Sequence, residues 1–195
     1  MKKNLREKGF TLVELAIVMV IIGLLIGAVL KGQAMIDDAR GKRLLNDMQG
    51  VSAAFFTYLD RYSAVPGDDT TDHGWAEVDE SQGDGNGLIA GANDTDDDEA
   101  HEAWQALRYS GLLSGNPAAT GAGMLPKNPF GGAYNLGNMS FGAGIGTKNY
   151  VAAVNVPGTL AELFDIKHDD GIFNSGTVQG SAAYTTATVT LQYAL

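Results

Sequence analysis

The most constraining feature of this sequence is an apolar run of 21 residues, Phe10 to Leu30, which contains a single charged side chain, Glu14. As an α-helix the run would be roughly 31 Å long, close to the thickness of the hydrocarbon core of a bilayer. The nine residues before it carry four bases and one acid, and basic flanks of this kind stay on the cytoplasmic side of a membrane. The sequence therefore predicts a single membrane helix whose N-terminus lies in the cytoplasm.

Two simpler interpretations of this run compete. A secretory signal peptide has a shorter apolar core that ends at a small-residue cleavage site, whereas this run leads directly into further helical sequence. A plain membrane anchor leaves Glu14 unexplained, because an unpaired carboxylate inside a bilayer costs about 3 kcal/mol. The sequence therefore predicts that the Glu14 carboxylate pairs with a specific partner group.

The string Lys8-Gly9-Phe10-Thr11-Leu12-Val13-Glu14 resembles the cleavage motif of prepilins and of the pseudopilins of type II secretion. The resemblance implies that a membrane peptidase cuts between Gly9 and Phe10 and then N-methylates Phe10. It also implies that Glu14, fifth in the mature chain, pairs with the Phe10 α-amine of a neighbouring subunit. A buried carboxylate is stabilised by such a cation.

The helical pattern continues beyond the apolar run. No proline interrupts residues 10–65, and steps of 4, 3, 4, 3 and 4 residues separate a further set of apolar positions, which predicts one helix of about fifty residues. That set is Leu44, Met48, Val51, Phe55, Tyr58 and Tyr62. Pro66-Gly67 is expected to end the helix. The predicted organisation is a leader (1–9), a transmembrane and polymerisation helix (10–30), its amphipathic half (31–65) and a globular head (66–195).

Glycines inside this helix predict positions where the helix is locally less stable. Gly23 and Gly27 form a pair that permits close helix contact in lipid, and each helical glycine costs up to about 1 kcal/mol relative to alanine. Many type IV pilins carry a proline at the position of Lys31. We hypothesise that Gly27 and Gly32 allow local melting when helices pack in a filament, which an unbroken helix in a filament map would disprove.

The middle of the chain is acidic: residues 62–107 hold thirteen acids and neither lysine nor arginine. Such a run repels itself unless it is solvated or binds cations. The turn Gly83-Asp84-Gly85-Asn86-Gly87 resembles oxygen-rich calcium turns, although it does not match the EF-hand spacing. Ca²⁺ is the only cofactor that the sequence predicts, with the candidate ligands Asp68, Asp69, Asp84 and Asn86.

The acidic region also has simpler explanations. Its glycine-rich turn is an ordinary loop sequence. Asp96 followed by Glu99 resembles a capping box that would begin a helix from about Asp97 to Ser110. Both alternatives remain open at this point.

The C-terminal half predicts a small sheet. Strand-like runs cover Ala133–Phe141, Tyr150–Val156 and Ala183–Tyr193, and the last alternates polar and apolar residues as a half-buried antiparallel strand does. A short helix is expected at Thr159–Phe164 and a turn at Asp169-Asp170-Gly171. The pilin resemblance implies an α+β fold, in which the long helix packs on a small antiparallel sheet with long loops rich in glycine and aspartate. With no cysteine in the chain, a disulfide cannot close this region.

Composition and motifs argue against two classes of function, nucleic-acid binding and enzyme catalysis. The net charge of −10, which becomes −13 when four bases and one acid leave with the leader, argues against nucleic-acid binding. The three histidines are scattered and no catalytic motif is present, so no enzyme activity is predicted.

The leading functional hypothesis is a structural subunit, a major or minor pilin of a type IV pilus-like filament. A pseudopilin of a type II secretion system is the close alternative, and a cation-dependent adhesin displayed on a filament is an alternative of another class. The predicted partners are copies of this chain or other pilins, the prepilin peptidase and the inner-membrane assembly platform. The predicted location is the inner membrane, with the head in the periplasm, followed by an extracellular pilus or a periplasmic pseudopilus.

Overall fold

The computed structural model describes residues 9–75, 83–91, 98–142 and 144–195. The chain divides into two compact units, one up to Arg40 and one from Gly41 to Leu195. The first helix, α1 (Leu12–Tyr62), contributes residues to both.

The first unit consists, in its described part, of the N-terminal stretch of α1 and the residues that lead into it. It contains an 18-residue window with a mean hydropathy of 2.8 in which no residue is buried. By length and composition this helix could cross a membrane. The helix passes through Gly27 and Gly32 without a break, so their melting in a filament stays a prediction.

The second unit buries one face of the remaining part of α1. The buried residues on this face are Leu44, Met48, Val51, Ala54, Phe55 and Tyr58, which confirms five of the six predicted positions. Tyr62 is half-buried and packs at the edge of the same core. The helix ends at Tyr62, just before Pro66-Gly67. A Cβ atom on Gly67 would lie 2.1 Å from the Glu99 carbonyl oxygen, so only glycine lets this loop pass so closely.

The described part of this unit also contains a four-stranded antiparallel sheet, two further α-helices and a short 3-10 turn at Gly121–Gly123. The strands are β1 (Tyr134–Ser140), β2 (Thr147–Pro157), β3 (Val178–Gly180) and β4 (Thr188–Ala194), and the helices are α2 (Glu99–Tyr109) and α3 (Gly158–His168). The sheet order is β1-β2-β4-β3. A register shift between Ala153 and Val156 contains Asn155, whose φ of 62° marks a bulge in β2.

The core lies between the helices and the sheet. Trp104 of α2 and Tyr58 of α1 are its largest fully buried side chains, and they join Leu136, Val151 and Leu191 from the central strands in one apolar cluster. α2 contacts β1, and α3 contacts β2, β3 and β4. The predicted α+β fold, with the long helix packed on a small antiparallel sheet, is confirmed.

Element boundaries differ from the predictions in several places. β2 begins at Thr147 instead of Tyr150, and α3 covers Gly158–His168 instead of Thr159–Phe164. The predicted strand from Ala183 begins only at Thr188, because residues 183–187 form a turn that buries Tyr184 against α3, where its hydroxyl donates to Asp165 at 2.7 Å. β3 was not predicted, since three residues carry no detectable alternation. α2 begins at Glu99 with Asp98 as its N-cap. The predicted cap, Asp96, and its neighbour Asp97 lie outside the described residues.

Candidate functional site

The N-terminal site centres on the first turn of α1. Thr11 precedes the helix, and its backbone N–H and hydroxyl both donate to Oε2 of Glu14, at 2.8 and 2.9 Å. The Glu14 backbone N–H donates in return to the Thr11 hydroxyl at 3.2 Å. This reciprocal arrangement is a capping box, in which Thr11 is the N-cap and Glu14 the third helical residue.

The capping box gives Glu14 a role within a single subunit. The spacing Thr-x-x-Glu just before an apolar helix is its sequence signature. This signature was not recognised in the sequence, because it lies within the membrane-helix pattern. The described bonds to the Glu14 side chain all come from Thr11 and end on Oε2. They leave Oε1 available to a further donor, so the predicted charge pair between Glu14 and the Phe10 α-amine of another subunit stays a prediction.

The described apolar side chains of the first unit are all exposed. The exposed large apolar residues between Phe10 and Ile36 are Phe10, Leu12, Val13, Leu15, Ile17, Val18, Met19, Val20, Ile21, Ile22, Leu24, Leu25, Ile26, Val29, Leu30, Met35 and Ile36. A soluble monomer rarely exposes so large a contiguous apolar surface. Burial of this surface must therefore come from lipid, from other helices, or from both in turn.

A second candidate site lies in the head, where Asp68, Asp84 and Glu99 converge. One carboxylate oxygen from each residue lies within 4.8 Å of the others. Asp68 and Glu99 are buried and Asp84 is exposed. Three hard oxygen donors at this spacing fit the ligand chemistry of Ca²⁺.

The same carboxylates also hold the glycine-rich loop in place. Asp68 accepts backbone N–H groups from Gly85 at 2.7 Å and from Gly87 at 2.5 Å. Glu99 accepts them from Asp84 at 3.2 Å and Ala90 at 2.6 Å. These hydrogen bonds clamp the loop from both sides.

The electrostatics of this cluster disfavour three negative charges. Burial, followed by repulsion from Asp68 and Asp84, raises the pKa of Glu99 above its ordinary value, although the backbone N–H groups of Ala90 and Asp84 act in the opposite direction. A bound proton or a bound cation would relieve this repulsion.

The structure brings together only part of the predicted ligand set. Asp68 and Asp84 are in the cluster. Asp69 instead contacts His73, with Oδ2 2.8 Å from Nε2, and accepts the Tyr58 hydroxyl at 3.1 Å. Asn86 accepts the backbone N–H of Leu88 at 2.8 Å, in a local turn. Glu99 was read from the sequence as a helix-capping residue, and nothing in its local spacing reveals that it reaches Asp84.

A comparable clamp holds the loop after α3. Asp165 is fully buried and accepts the Tyr184 hydroxyl and the Gly171 backbone N–H. Asp169 accepts the backbone N–H groups of Thr177 and Val178. Burial first, then Asp170 and Asp169, raise the pKa of Asp165, while the bonds from Tyr184 and Gly171 lower it by less. This cluster also places three carboxylates within 4.8 Å of one another.

The three histidines lie in separate environments. His73 contacts Asp69 and packs beside Trp75, with ring centroids 4.8 Å apart. His101 is buried on α2. His168 ends α3 and its ring packs against Phe164 at a tilt of 39°, with ring centroids 4.6 Å apart.

The family model of the prokaryotic N-terminal methylation motif matches residues 4–30. No curated protein and no solved structure matched the chain. The matched segment contains Gly9, Phe10 and Glu14 together with the apolar run. At its N-terminus the chain therefore carries the prepilin-type signature of type IV pilins and pseudopilins.

Proposed function

We propose that this chain is a structural subunit of a type IV pilus-like filament that assembles through α1. The observation that carries the proposal is the apolar run Phe10–Leu30, which includes the start of α1 and in which no residue is buried. The methylation motif on the same segment supports prepilin-type processing and pilin assembly. A single membrane-spanning helix buries its apolar surface in lipid, but it leaves the Glu14 carboxylate without a cation. A helical filament would bury the apolar surface and also supply the cation.

The proposed mechanism proceeds from membrane to filament. The basic leader holds the N-terminus in the cytoplasm while the helix spans the inner membrane. The prepilin peptidase cuts between Gly9 and Phe10, which creates a positively charged α-amine at the start of the mature chain, and N-methylation of Phe10 keeps this charge. The Glu14 carboxylate of one subunit then pairs with the Phe10 amine of another, and apolar helix packing replaces lipid contact.

The test is electron microscopy of cells that produce the full chain, with antibody labelling of the head. We expect labelled filaments from the natural chain. Gly9→Val should block cleavage, so that the uncleaved chain remains in the membrane fraction and labelled filaments are lost. Labelled filaments built from uncleaved Gly9→Val subunits would overturn the proposal.

A pseudopilin of a type II secretion system is the closest alternative, because the same N-terminal signature serves both systems. Deletion of the gene separates them. Loss of surface fibres with normal export of secreted proteins indicates a pilus, and loss of export indicates a pseudopilus.

A binding role of the head is the alternative of another class, and the cluster of Asp68, Asp84 and Glu99 is the observation that favours it. A cation held there would order the loop at residues 83–91 and could shape an adhesive surface. Removal of residues 79–98 should then abolish adhesion and leave filaments intact. We propose no catalytic role for either arrangement.

A further inference from the structure

A groove on the surface of the head separates the start of its α1 segment from α3. It has a volume of about 140 Å³. Leu45 of α1 and Leu160, Leu163 and Phe164 of α3 line it with apolar side chains. Gly41 also lines the groove, and a Cβ atom there would lie 3.8 Å from the Leu160 side chain. The shape therefore suits an apolar side chain presented by another helix.

The outer surface of α3 extends this apolar area. Leu163 is 61% exposed and Ile166 is 59% exposed, although both lie on a helix whose other face is packed on the sheet. Two large aliphatic side chains this exposed and adjacent on one helix, beside an open apolar groove, indicate a contact surface.

The groove is also one of the few basic places on the head. From Gly41 onward the chain has seven bases and nineteen acids, and Lys42 and Lys167 both line the groove. The ion pairs found among the described residues involve neither of them. Of the acids on α3, Asp165 is buried against Tyr184, and Glu162 is exposed. The groove thus fits an apolar side chain followed closely by a carboxylate.

The chain itself contains such a segment, Met35-Ile36-Asp37-Asp38. Met35 is 64% exposed and Ile36 is 54% exposed, and two acids follow them directly. Asp37 already forms an ion pair with Arg40 of its own helix, with Oδ1 3.6 Å from Nη1. The ion pairs among the described residues do not include Asp38. This segment continues the exposed apolar surface that the filament proposal assigns to polymerisation.

We infer that the α3 groove of one subunit receives the Ile36–Asp38 segment of a second copy, with Ile36 against Leu163 and Asp38 paired with Lys167. The inference rests on the proposed filament. The two surfaces differ, so each subunit offers one of each, and a head-to-tail contact of this kind propagates into an open helical assembly. Charge complementarity would set the register of the contact.

Cross-linking tests this contact, because the natural chain has no cysteine. Cells would produce two full-length chains with different epitope tags, one carrying Ile36→Cys and the other Leu163→Cys. A short bis-maleimide applied to isolated filaments should give a covalent dimer that carries both tags. Production in separate chains excludes a cross-link within one subunit. The matched control replaces Leu163→Cys by Ile172→Cys, an exposed aliphatic position outside the groove, which should give at least several-fold less dimer.

A charge exchange tests the proposed ion pair. Lys167→Glu and Asp38→Lys should each lower filament yield about threefold or more, in line with like charges placed across an interface. The double variant should recover most of the yield. Both side chains are exposed, so the variants are expected to fold.

The possible outcomes are distinguishable. Absence of filaments from the natural chain would overturn the proposed function itself. Normal filaments without the mixed dimer, or without recovery in the charge exchange, would overturn the groove contact and leave the filament proposal intact.

Discussion

At the scale of single residues, Glu14 has two roles that use the same carboxylate. In one subunit its Oε2 completes the capping box with Thr11. In the proposed filament it also pairs with the Phe10 amine of another subunit. Both roles place a carboxylate in the first helical turn, where the helix dipole favours negative charge.

Two substitutions separate these roles. Glu14→Gln keeps an acceptor for the Thr11 N–H but removes the charge, whereas Thr11→Val keeps the charge and removes the capping hydroxyl, at a cost of about 1 kcal/mol of helix stability. We expect Glu14→Gln to reduce filament yield far more than Thr11→Val, measured as the sheared filament protein per cell. If Thr11→Val lowered filament yield more than Glu14→Gln, the function of Glu14 would be helix capping and not charge pairing between subunits.

At the scale of elements, carboxylates near the helix ends hold two loops of the head through backbone N–H groups. The loop at residues 83–91 has backbone N–H groups bound by Asp68 and Glu99. A buried carboxylate that accepts two backbone N–H groups satisfies donors that lie outside the sheet.

Calcium binding is a prediction at this scale. In a fragment of residues 41–195, which contains the whole apolar core, Ca²⁺ at 100 times its Kd would add about 2.7 kcal/mol. For a domain of this size that corresponds to a rise in melting temperature of about 5–10 °C. Calorimetry with Ca²⁺ and with chelator measures the shift. Asp84→Asn should remove it, because this exposed residue loses its charge but keeps an oxygen for the Asn86 N–H. No shift in the natural fragment would mean that the carboxylates only clamp the loop.

The pH dependence of stability is a second prediction for the same fragment, studied in chelator. The pKa of Glu99 is raised in the folded head by burial and by Asp68 and Asp84. A carboxyl with a raised folded pKa stabilises the fold fully below its unfolded pKa, and this contribution disappears as the pH rises through the folded value.

Lowering the pH from 7 towards the ordinary glutamate pKa, about 4.3, should therefore stabilise the natural fragment more than Glu99→Gln. Glu162→Gln, at an exposed position of α3, is the matched control and should follow the natural fragment. Denaturant unfolding at each pH measures the difference. Identical pH profiles for the natural and Glu99→Gln fragments would show that protonation of Glu99 does not contribute to the stability of the fold.

At the scale of the whole molecule, the predictable parts were those with a local cause. The long helix followed from an unbroken periodic pattern and the absence of proline, and the β1 and β2 regions followed from their strand-like runs. The α+β fold came from the resemblance of seven residues around Gly9. Contacts between distant parts of the chain were not predictable: Glu99 reaches Asp84 across 15 residues, and Tyr184 leaves its expected strand to bond Asp165.

The proposed function requires that α1 builds a filament after processing at Gly9. Mass spectrometry of the N-terminal peptide of the subunit in isolated filaments tests this requirement. We expect subunits that begin at N-methylated Phe10. Filaments whose subunits begin at Met1, or at any residue beyond Phe10, would contradict it.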